Sequence, residues 1–419
     1  MTAGLILAAP ASGSGKTTIT LGILRALARK GIAVRSGKSG PDYIDPRFHE
    51  AATGQPCLNL DAWAMTPERI KGLAWGDDLM LIEGAMGLFD GAPPDGCGAT
   101  ADLARHLGLP VVLIVDAASM AGSIAPLVAG FAGFAPDVRI GGVILNKVGS
   151  PRHETMLRRA LEPMGISVLG AVMRQTGIVT PSRHLGLVQA EERTDLEAFL
   201  DLAADHIAGS VDLDALTALA EPLPTATRTP AQPPAQTIAV ARDRAFAFSY
   251  PHLLQDWQSA GAEVRLFSPL ADEPIPEADL IYLPGGYPEL YAGQLTGFVQ
   301  RLKSAAETTD LYGECGGYMV LGDGLTDANG TRHEMAGLLR LETSFAKRKL
   351  HLGYRDVHAD HGPFTGQWAA HEFHYATTLR ADGEPLFTAK DAEGNVLPPM
   401  GLRQGRTYGS FAHLIDPRS

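Results

Sequence analysis

The sequence has few cysteines, no long apolar run and no cluster of basic residues, and each absence excludes a class of protein. Its three cysteines, Cys57, Cys97 and Cys315, lie far apart and form no C-x-x-C pair, so neither a disulfide framework nor a zinc site is indicated. No apolar run is long enough to span a bilayer. The net charge of −12 offers a nucleic acid little to bind. We therefore expect no membrane partner and no nucleic-acid partner.

The first residues and the length of the chain indicate its location and its organisation. The segment MTAGLILAAP lacks the basic start of a signal peptide and is typical of a buried strand, so we expect a cytoplasmic protein. A chain of 419 residues is longer than one ordinary core, which predicts two domains. Residues 221–237 are rich in proline, threonine and alanine and cannot bury a core. This segment is interpreted as a linker between domains at 1–220 and 238–419.

Apolar runs alternate with helix-length segments on both sides of the linker. In the first domain they are GLILAAP, DLMLIEGAMG, PVVLIVDAA and RIGGVILNKV, and in the second TIAVARD, AEVRLFSP, ADLIYLPGG and TDLYGECGG. Near-continuous apolar runs of this length are typical of buried parallel strands. The pattern predicts two α/β domains, each with its functional residues at the carboxyl ends of the strands.

Residues 8–18, AAPASGSGKTT, depart at one position from the phosphate-binding pattern G-x-x-x-x-G-K-[ST], because Pro10 replaces the first glycine. The loop still lies between a predicted strand and a predicted amphipathic helix, TTITLGILRALARKG. Its glycines keep the backbone open, so that N–H groups can bind an anion. Lysine supplies charge for the β and γ phosphates, and threonine supplies a hydroxyl to magnesium. The predicted ATP-binding residues of the loop are Gly13, Gly15, Lys16, Thr17 and Thr18.

Acidic and amide side chains elsewhere in this domain extend the predicted site. Glu83 follows the run LMLI, and Asp45 lies in KSGPDYIDPRFH. A single carboxylate of this kind is usually a cap or a solvated group, but two beside glycine-rich turns favour a magnesium site. Asn146 and Lys147 follow the strand in VILNKV, where an amide is suited to an adenine edge. The predicted magnesium ligands are Thr17, Asp45 and Glu83.

Cys315 lies in DLYGECGGYMVLG, between an apolar strand and a helix-like segment. Small neighbours permit the sharp turn that presents a nucleophile, and a helix N-terminus is expected to lower the pKa of the thiol. Gly286, in LPGGYPE, is the expected backbone donor to an oxyanion, and Gly316 is expected to contact the substrate. The alternative interpretation is a buried structural cysteine.

A cysteine nucleophile needs a base, and the downstream sequence offers seven histidines. His374 lies in HEFHY, whose histidines are three residues apart, so the segment is not the zinc motif H-E-x-x-H. His413 lies in TYGSFAHLID, near residue 419. Spacing alone does not choose between these two histidines.

Eight segments together resemble the cobyrinic and hydrogenobyrinic acid a,c-diamide synthases of cobalamin biosynthesis. The segments are APASGSGKTT, KSGPDYIDPRFH, EGAMGLFDG, PSRHLGLVQAEE, LPGGYPE, YGECGGYMVLG, HEFHY and YGSFAH. The N-terminal domain also resembles dethiobiotin synthetase, and the C-terminal domain is similar to class I glutamine amidotransferases. Pro10 is normal in the loop of the resembled family.

The resemblance implies amidation of the a and c acetate carboxylates of hydrogenobyrinic or cobyrinic acid, with ATP, magnesium and glutamine. Cys315 would release ammonia from glutamine with the help of His413, and ATP would convert each carboxylate to an acyl phosphate that ammonia attacks. The resemblance also implies corrin contacts at Asp42 and Tyr43, although core packing explains Tyr43 equally well.

One position departs from the wider group of class I glutamine amidotransferases. Those enzymes usually carry a glutamate two residues after the histidine, where this chain has Ile415. The resembled branch has a Cys-His pair without that third member. Glu372 and Asp416 are the candidates to orient His413.

Other functions are compatible with parts of the pattern. Cobyric acid synthase joins the same domain types, but the linker and PDYIDPRFH fit the a,c enzymes better, and a nickel-sirohydrochlorin diamide synthase differs mainly in its macrocycle. A P-loop switch ATPase with an inert second domain would carry a lysine near the start of the loop, where this chain has Ala11 and Ser12. The alanine- and arginine-rich composition is typical of a high-GC genome, where the aerobic pathway and its metal-free corrin are frequent, so it favours the metal-free substrate. The sequence is also compatible with a homodimer.

Overall fold

A computed structural model describes residues 2–175, 182–183 and 186–418. The chain forms two compact units, Met1–Thr229 and Pro230–Ser419, and the division falls inside the predicted linker. Part of the segment PSRHLGLVQAEE lies outside the described residues. Within the described ranges, no helix combines the length and the apolar character needed to cross a bilayer.

The first unit alternates strands and helices along the chain. Its strands are β1 Ala3–Ala8, β2 Val34–Ser39, β3 Leu58–Leu60, β4 Leu79–Glu83, β5 Val111–Asp116, β6 Ile140–Val148, β7 Val168–Met173, β8 Ser182–Arg183, β9 Gly186–Leu187 and β10 Glu221–Pro222. Its helices are α1 Lys16–Arg29, α2 Asp45–Thr53, α3 Pro67–Ala74, α4 Thr100–Leu107, α5 Ile124–Phe134, α6 Pro151–Leu161, α7 Leu196–Ala208 and α8 Leu213–Ala218, with short 3₁₀ turns at Glu162–Met164 and Ala190–Glu192.

The core of this unit is a parallel sheet with the strand order β3-β2-β4-β1-β5-β6-β7. The two-residue strand β10 pairs antiparallel with β1, so the start of the predicted linker belongs to the sheet. The predicted apolar runs are confirmed as β1, β4, β5 and β6, and the amphipathic segment as α1. The chain reverses its order at β1, which lies between β4 and β5, and a crevice at the carboxyl ends of the strands is expected there.

The second unit combines a mainly parallel sheet with one mixed and one antiparallel sheet. Its strands are β11 Thr237–Ala241, β12 Glu263–Phe267, β13 Leu280–Leu283, β14 Asp310–Glu314, β15 Gly324–Thr326, β16 Arg332–Glu334, β17 Arg340–Ser344, β18 His351–Ala359, β19 Gly366–His374, β20 Thr377–Asp382, β21 Phe387–Asp391, β22 Val396–Met400, β23 Leu402–Gln404, β24 Thr407–Ser410 and β25 Ala412–Pro417. Its helices are α9 Pro251–Ser259, α10 Thr296–Ala305 and α11 Gly316–Leu321, with 3₁₀ turns at Pro288–Leu290 and Ala292–Gln294.

The four apolar runs predicted in this unit are confirmed as β11 to β14, which pair in parallel. They form a sheet of order β12-β11-β13-β14-β24-β23. The sequence pattern did not predict the mixed sheet of order β16-β15-β17-β20 or the antiparallel sheet of order β22-β21-β18-β19-β25. Their strands mix exposed and buried positions irregularly, so the simple alternation that marks an amphipathic strand is missing.

Candidate active sites

The loop between β1 and α1 has the backbone that a phosphate cradle requires. Gly13 and Gly15 have φ of 80° and 84°, the left-handed region that favours glycine. A side chain at Gly15 would also lie 2.3 Å from Nδ2 of Asn146, so the position has no room for one. Lys16 is the first residue of α1, and its Nζ donates a hydrogen bond of 2.7 Å to the carbonyl of Met86. The helix N-terminus and this lysine therefore act at the same place.

A cavity of about 1020 Å³ opens at this loop. It is lined by all five predicted ATP-binding residues of the loop and by Asp45, Glu83, Asn146 and Lys147. The volume is within the range of a cofactor site. The structure thus brings together, in one crevice, residues that lie on four separate segments of the first unit.

Thr17, Asp45 and Glu83, the predicted magnesium ligands, converge at one side of the cavity. The Thr17 hydroxyl donates a hydrogen bond of 2.6 Å to Oε1 of Glu83, and it lies 3.3 Å from Oδ2 of Asp45. Lys38, which the sequence reasoning missed, places its Nζ 2.6 Å from that Asp45 oxygen and 2.9 Å from the Glu83 oxygen. Lys38 is the penultimate residue of β2, and its place just before the GPDYID turn was the available signal.

The converging oxygens fit a magnesium ion by their chemistry. Mg²⁺ prefers hard oxygen ligands from one or two carboxylates together with phosphate oxygens. Both carboxylates and the hydroxyl are supplied here, and a positive charge, the Lys38 ammonium, already lies between the carboxylates. The donor set therefore suits a divalent cation.

Glu83 is fully buried and is held from behind by His49. Nε2 of His49 lies 2.8 Å from Oε2 of Glu83, and its Nδ1 lies 3.5 Å from the sulfur of Cys57. Burial would raise the pKa of Glu83, but Lys38, His49 and Thr17 outweigh it and hold that pKa well below its ordinary value. Burial would lower the pKa of His49, but Cys57 and Glu83 raise it to about 10. Glu83 is accordingly a carboxylate with one oxygen anchored and the other facing the cavity.

Asn146 and Lys147 brace the loop in this structure. Asn146 donates from Nδ2 to the carbonyl of Ser14 at 2.8 Å, and Lys147 donates from Nζ to the carbonyl of Gly13 at 3.0 Å. Lys147 also pairs with Asp116 at 2.6 Å. One of the two Nδ2 hydrogens of Asn146 is thus already used, and contact of both residues with ATP stays a prediction.

Asp42 and Tyr43 lie in the turn before α2. Oδ1 of Asp42 accepts hydrogen bonds from the backbone N–H groups of Ile44 and Asp45, at 2.8 and 3.1 Å, so Asp42 orders the helix that carries a predicted metal ligand. Only 5% of Tyr43 is exposed. Such low exposure favours the core-packing interpretation of Tyr43, because little of the ring is accessible for contact with a macrocycle.

Cys315 lies in the second unit, at the sharp turn between β14 and α11. Its φ of 47° and ψ of −103° are rare for a residue with a side chain, and such strain is concentrated at functional sites. Its N–H donates to the carbonyl of Ser410 on the neighbouring strand at 2.8 Å. Gly317 follows on the helix, where a side chain would lie 2.0 Å from the carbonyl oxygen of Leu283. These features match a nucleophile elbow with sulfur as the nucleophile.

Gly285 separates Cys315 from His413. A Cβ on Gly285 would lie 2.3 Å from Cε1 of His413 and 3.3 Å from the Cβ of Cys315, so the two side chains flank a position that only glycine can fill. His413 lies on β25 and is fully buried. The structure places His413 across Gly285 from Cys315, and its role as the base stays a prediction.

Gly286 and Gly316 lie against each other beside the thiol. A Cβ on Gly316 would lie 3.0 Å from the backbone N of Gly286, and the Gly316 N–H is directed at the sulfur of Cys315. Two backbone N–H groups next to one nucleophile are the usual components of an oxyanion hole. Their role as donors stays a prediction.

The protonation states of the pair differ from the expectation based on a helix N-terminus. Burial, with Glu289 adding to it, raises the pKa of the Cys315 thiol well above its ordinary value, and the hydrogen bond from Gly316 does not compensate. Burial, with His371 and His374 adding to it, lowers the pKa of His413 to about 3. The helix has only six residues, so its dipole is small. The resting pair is therefore a thiol beside a neutral imidazole.

A carboxyl group that the sequence did not suggest lies beside His413. Oε2 of Glu314 lies 3.7 Å from Nδ1 of His413, and burial raises the pKa of Glu314 to about 8. Glu372 instead pairs with Arg355 and His374, at 2.7 and 3.0 Å. The other candidate, Asp416, lies 3.9 Å from His252.

Comparison with known proteins covers both units. Residues 5–187 match the family described as the CobQ/CobB/MinD/ParA nucleotide binding domain, and residues 237–418 match the CobB/CobQ-like glutamine amidotransferase domain. The chain is 56% identical to a hydrogenobyrinate a,c-diamide synthase of Brucella anthropi, over 99% of this chain and 98% of that protein. It is 54% identical to a protein of the same name from Rhizobium meliloti, over 99% of each chain.

Proposed function

Since the chain belongs to the family of the hydrogenobyrinate a,c-diamide synthases, glutamine-hydrolysing ligases of cobalamin biosynthesis, we propose that it amidates the a and c carboxylates of hydrogenobyrinate. ATP and glutamine are its co-substrates. The proposal is carried by one observation, that a chain similar to these proteins over nearly its whole length joins a phosphate loop to a Cys-His site. Neither centre alone converts a carboxylate to an amide with glutamine as the nitrogen source.

The first unit activates the carboxylate. A carboxylate does not accept ammonia directly, because its leaving group would be oxide. Lys16 and the loop N–H groups bind the phosphates of ATP, and the γ-phosphoryl group passes to the carboxylate oxygen to give an acyl phosphate and ADP. Ammonia then attacks the carbonyl carbon, and inorganic phosphate leaves. Thr17, Asp45 and Glu83 would hold magnesium, which supplies positive charge to the transferring phosphoryl group.

The second unit supplies the nitrogen. His413 takes the proton of the Cys315 thiol as the sulfur attacks the side-chain amide carbon of glutamine. The backbone N–H groups of Gly286 and Gly316 stabilise the oxyanion, and the nitrogen leaves as ammonia with a proton from His413. Water then hydrolyses the thioester to glutamate and restores the thiol. Each amide formed consumes one ATP and one glutamine.

The proposed function is tested by incubating the purified chain with hydrogenobyrinate, ATP, magnesium and glutamine. We expect two successive amidations, each seen as the small mass loss that accompanies replacement of a hydroxyl by an amino group. Parallel reactions contain cobyrinate in place of hydrogenobyrinate, or glutamate in place of glutamine. Failure to form either amide from hydrogenobyrinate would contradict the proposal, and preference for cobyrinate would change its substrate.

His49→Ala is expected to raise the magnesium concentration needed for half-maximal amidation about 10- to 100-fold, the usual loss when a metal ligand loses its hydrogen-bonded support. The physical reason is that His49 anchors Oε2 of Glu83 at 2.8 Å, which leaves Oε1 to face Thr17. The measurement is a magnesium titration of the amidation rate, together with magnesium-dependent ATP binding by calorimetry.

His49→Gln provides the matched comparison, because a glutamine amide can place an N–H near the position of the His49 Nε2. We expect it to recover much of the magnesium affinity that His49→Ala loses. His106→Ala, at a half-buried position on α4, serves as the control for loss of an imidazole. An unchanged magnesium requirement in His49→Ala would show that Glu83 needs no such anchor.

A further inference from the structure

Four apolar side chains form a group that we call the apolar shelf, and one of them, Met86, lines the phosphate cavity. The shelf consists of Met86, Phe89, Phe131 and Phe134. The ring of Phe89 stacks on that of Phe131 at a centroid distance of 5.8 Å, and it meets that of Phe134 at 4.7 Å. Phe134 is 71% exposed and Met86 is 56% exposed. The three phenylalanine rings are therefore linked through Phe89, and much of the apolar area of the shelf is exposed.

The shelf begins at the phosphate-binding lysine. The carbonyl of Met86 accepts the 2.7 Å hydrogen bond from Lys16, and Met86 also lines the cavity. Met86 has a φ of 48°, which is rare for a residue with a side chain. This conformation lets one residue turn its carbonyl toward Lys16 while its side chain remains exposed. Strain of this kind is found where function requires a particular geometry.

Helix α5, which carries two of the shelf phenylalanines, has unusually little polar character for an exposed helix. Residues 117–136 contain no charged residue. Only Ile124 and Val128 of α5 are buried, so most of its apolar residues face outward or are partly open. A surface helix normally places charged residues on its outer face. An exposed apolar surface of this extent indicates a binding surface.

The substrate of the proposed function has the shape and chemistry that this surface accepts. Its corrin ring is too large to enter a phosphate loop, so the ring must remain at the rim while one peripheral carboxylate reaches the phosphate. The faces of the ring are apolar and partly conjugated, whereas its edge carries the carboxylates. Aromatic side chains and methionine sulfur contact such faces favourably. Tyr43, the aromatic residue first considered for this role, is only 5% exposed.

We propose that the apolar shelf binds one face of the corrin macrocycle and positions its edge toward Lys16. This assignment rests on the proposed function, because it takes its ligand from it. Phe134 and Phe131 lie three residues apart on one helix and so share a face, on which Phe89 completes the aromatic surface. The four shelf residues belong to the first unit and Cys315 to the second, so we expect the shelf to act on the affinity for corrin.

The test compares the wild-type chain with Phe134→Ser and with the double variant Phe131→Ser/Phe134→Ser. We expect the KM for hydrogenobyrinate to rise about tenfold in the single variant and about 100-fold in the double variant, as the loss of one and two buried aromatic contacts implies. The KM values for ATP and glutamine should stay unchanged. Equilibrium binding of hydrogenobyrinate, followed by its visible absorption, should weaken in parallel. Met156→Ser, which removes a 47% exposed apolar side chain from α6, is the matched control.

Three outcomes would overturn the assignment. An unchanged KM for hydrogenobyrinate in both variants would remove the shelf from the corrin site, as would an equal rise in Met156→Ser. A change of oligomeric state in sedimentation, with corrin affinity unchanged, would identify the shelf as an interface between two copies of the chain. If the wild-type chain amidates hydrogenobyrinate normally, any of these results contradicts the shelf alone, whereas absence of amidation by the wild type contradicts the proposed function itself.

Discussion

Cys315→Ala is expected to abolish amidation with glutamine and to leave amidation with added ammonia intact. The variant removes the sulfur that attacks the glutamine amide, and loss of a nucleophile of this kind lowers kcat by roughly 10⁵- to 10⁶-fold. The phosphate site is built from a different unit of the chain, so the acyl phosphate still forms. The measurement is the rate of amide formation by mass, with glutamine or with ammonium at alkaline pH, where more of the ammonium is neutral ammonia.

Cys97→Ala is the control for this variant, because Cys97 is an exposed cysteine of the first unit. It should retain both activities. Glutamine-dependent amidation that persists in Cys315→Ala would assign the nucleophile to another residue. Loss of the ammonia-dependent reaction as well would mean that Cys315 also supports the activation of the carboxylate.

Lys16→Met should sharply reduce amidation from both nitrogen sources, since ammonia has nothing to attack unless the acyl phosphate forms. Methionine keeps an unbranched apolar side chain but removes the charge that faces the phosphates and the hydrogen bond to Met86. Removing one such group from a preorganised site costs about 10²- to 10³-fold in rate. The rates of both reactions and the Kd for ATP provide the measurement.

Lys30→Met is the matched control, because Lys30 lies in the same unit and is 48% exposed. Its pair with Asp214, at 3.4 Å, is a surface ion pair, and such pairs contribute at most about 1 kcal/mol. Both amidation rates should therefore remain at the wild-type level. Ammonia-dependent amidation that survives in Lys16→Met would exclude Lys16 from the activation of the carboxylate.

The parallel strands could be predicted because each is a local pattern. The runs that became β1, β4, β5 and β6 lie inside the sheet and so are nearly all apolar until their carboxyl ends. The mixed and antiparallel sheets of the second unit gave no such signal, since strands such as β20 and β22 are mostly exposed. The pairing of β20 with β17 also joins two segments that are remote in the sequence.

The candidate sites were predictable to the same extent. Lys16 and Cys315 lie in short segments whose glycines indicate a sharp turn of the backbone. Both residues were predicted as functional from those segments. Lys38 and His49 form hydrogen bonds with Glu83, from which they are separated by 45 and 34 positions in the sequence. No local sequence pattern indicates contacts at that separation. Which aromatic residue is available to a ligand depends on its exposure. The sequence does not show that Tyr43 is buried while Phe134 is exposed.

The sequence by itself determined that the chain has two α/β units, one with a phosphate loop and one with a cysteine at a strand-to-helix turn. It could do so because turns, helix starts and buried strands depend on adjacent residues. Only the tertiary structure decided that Glu314 lies beside His413, that Cys315 rests as a thiol, and that His49 anchors Glu83. Protonation states and side-chain partners depend on burial and on contacts between distant segments, which arise only when the chain is folded.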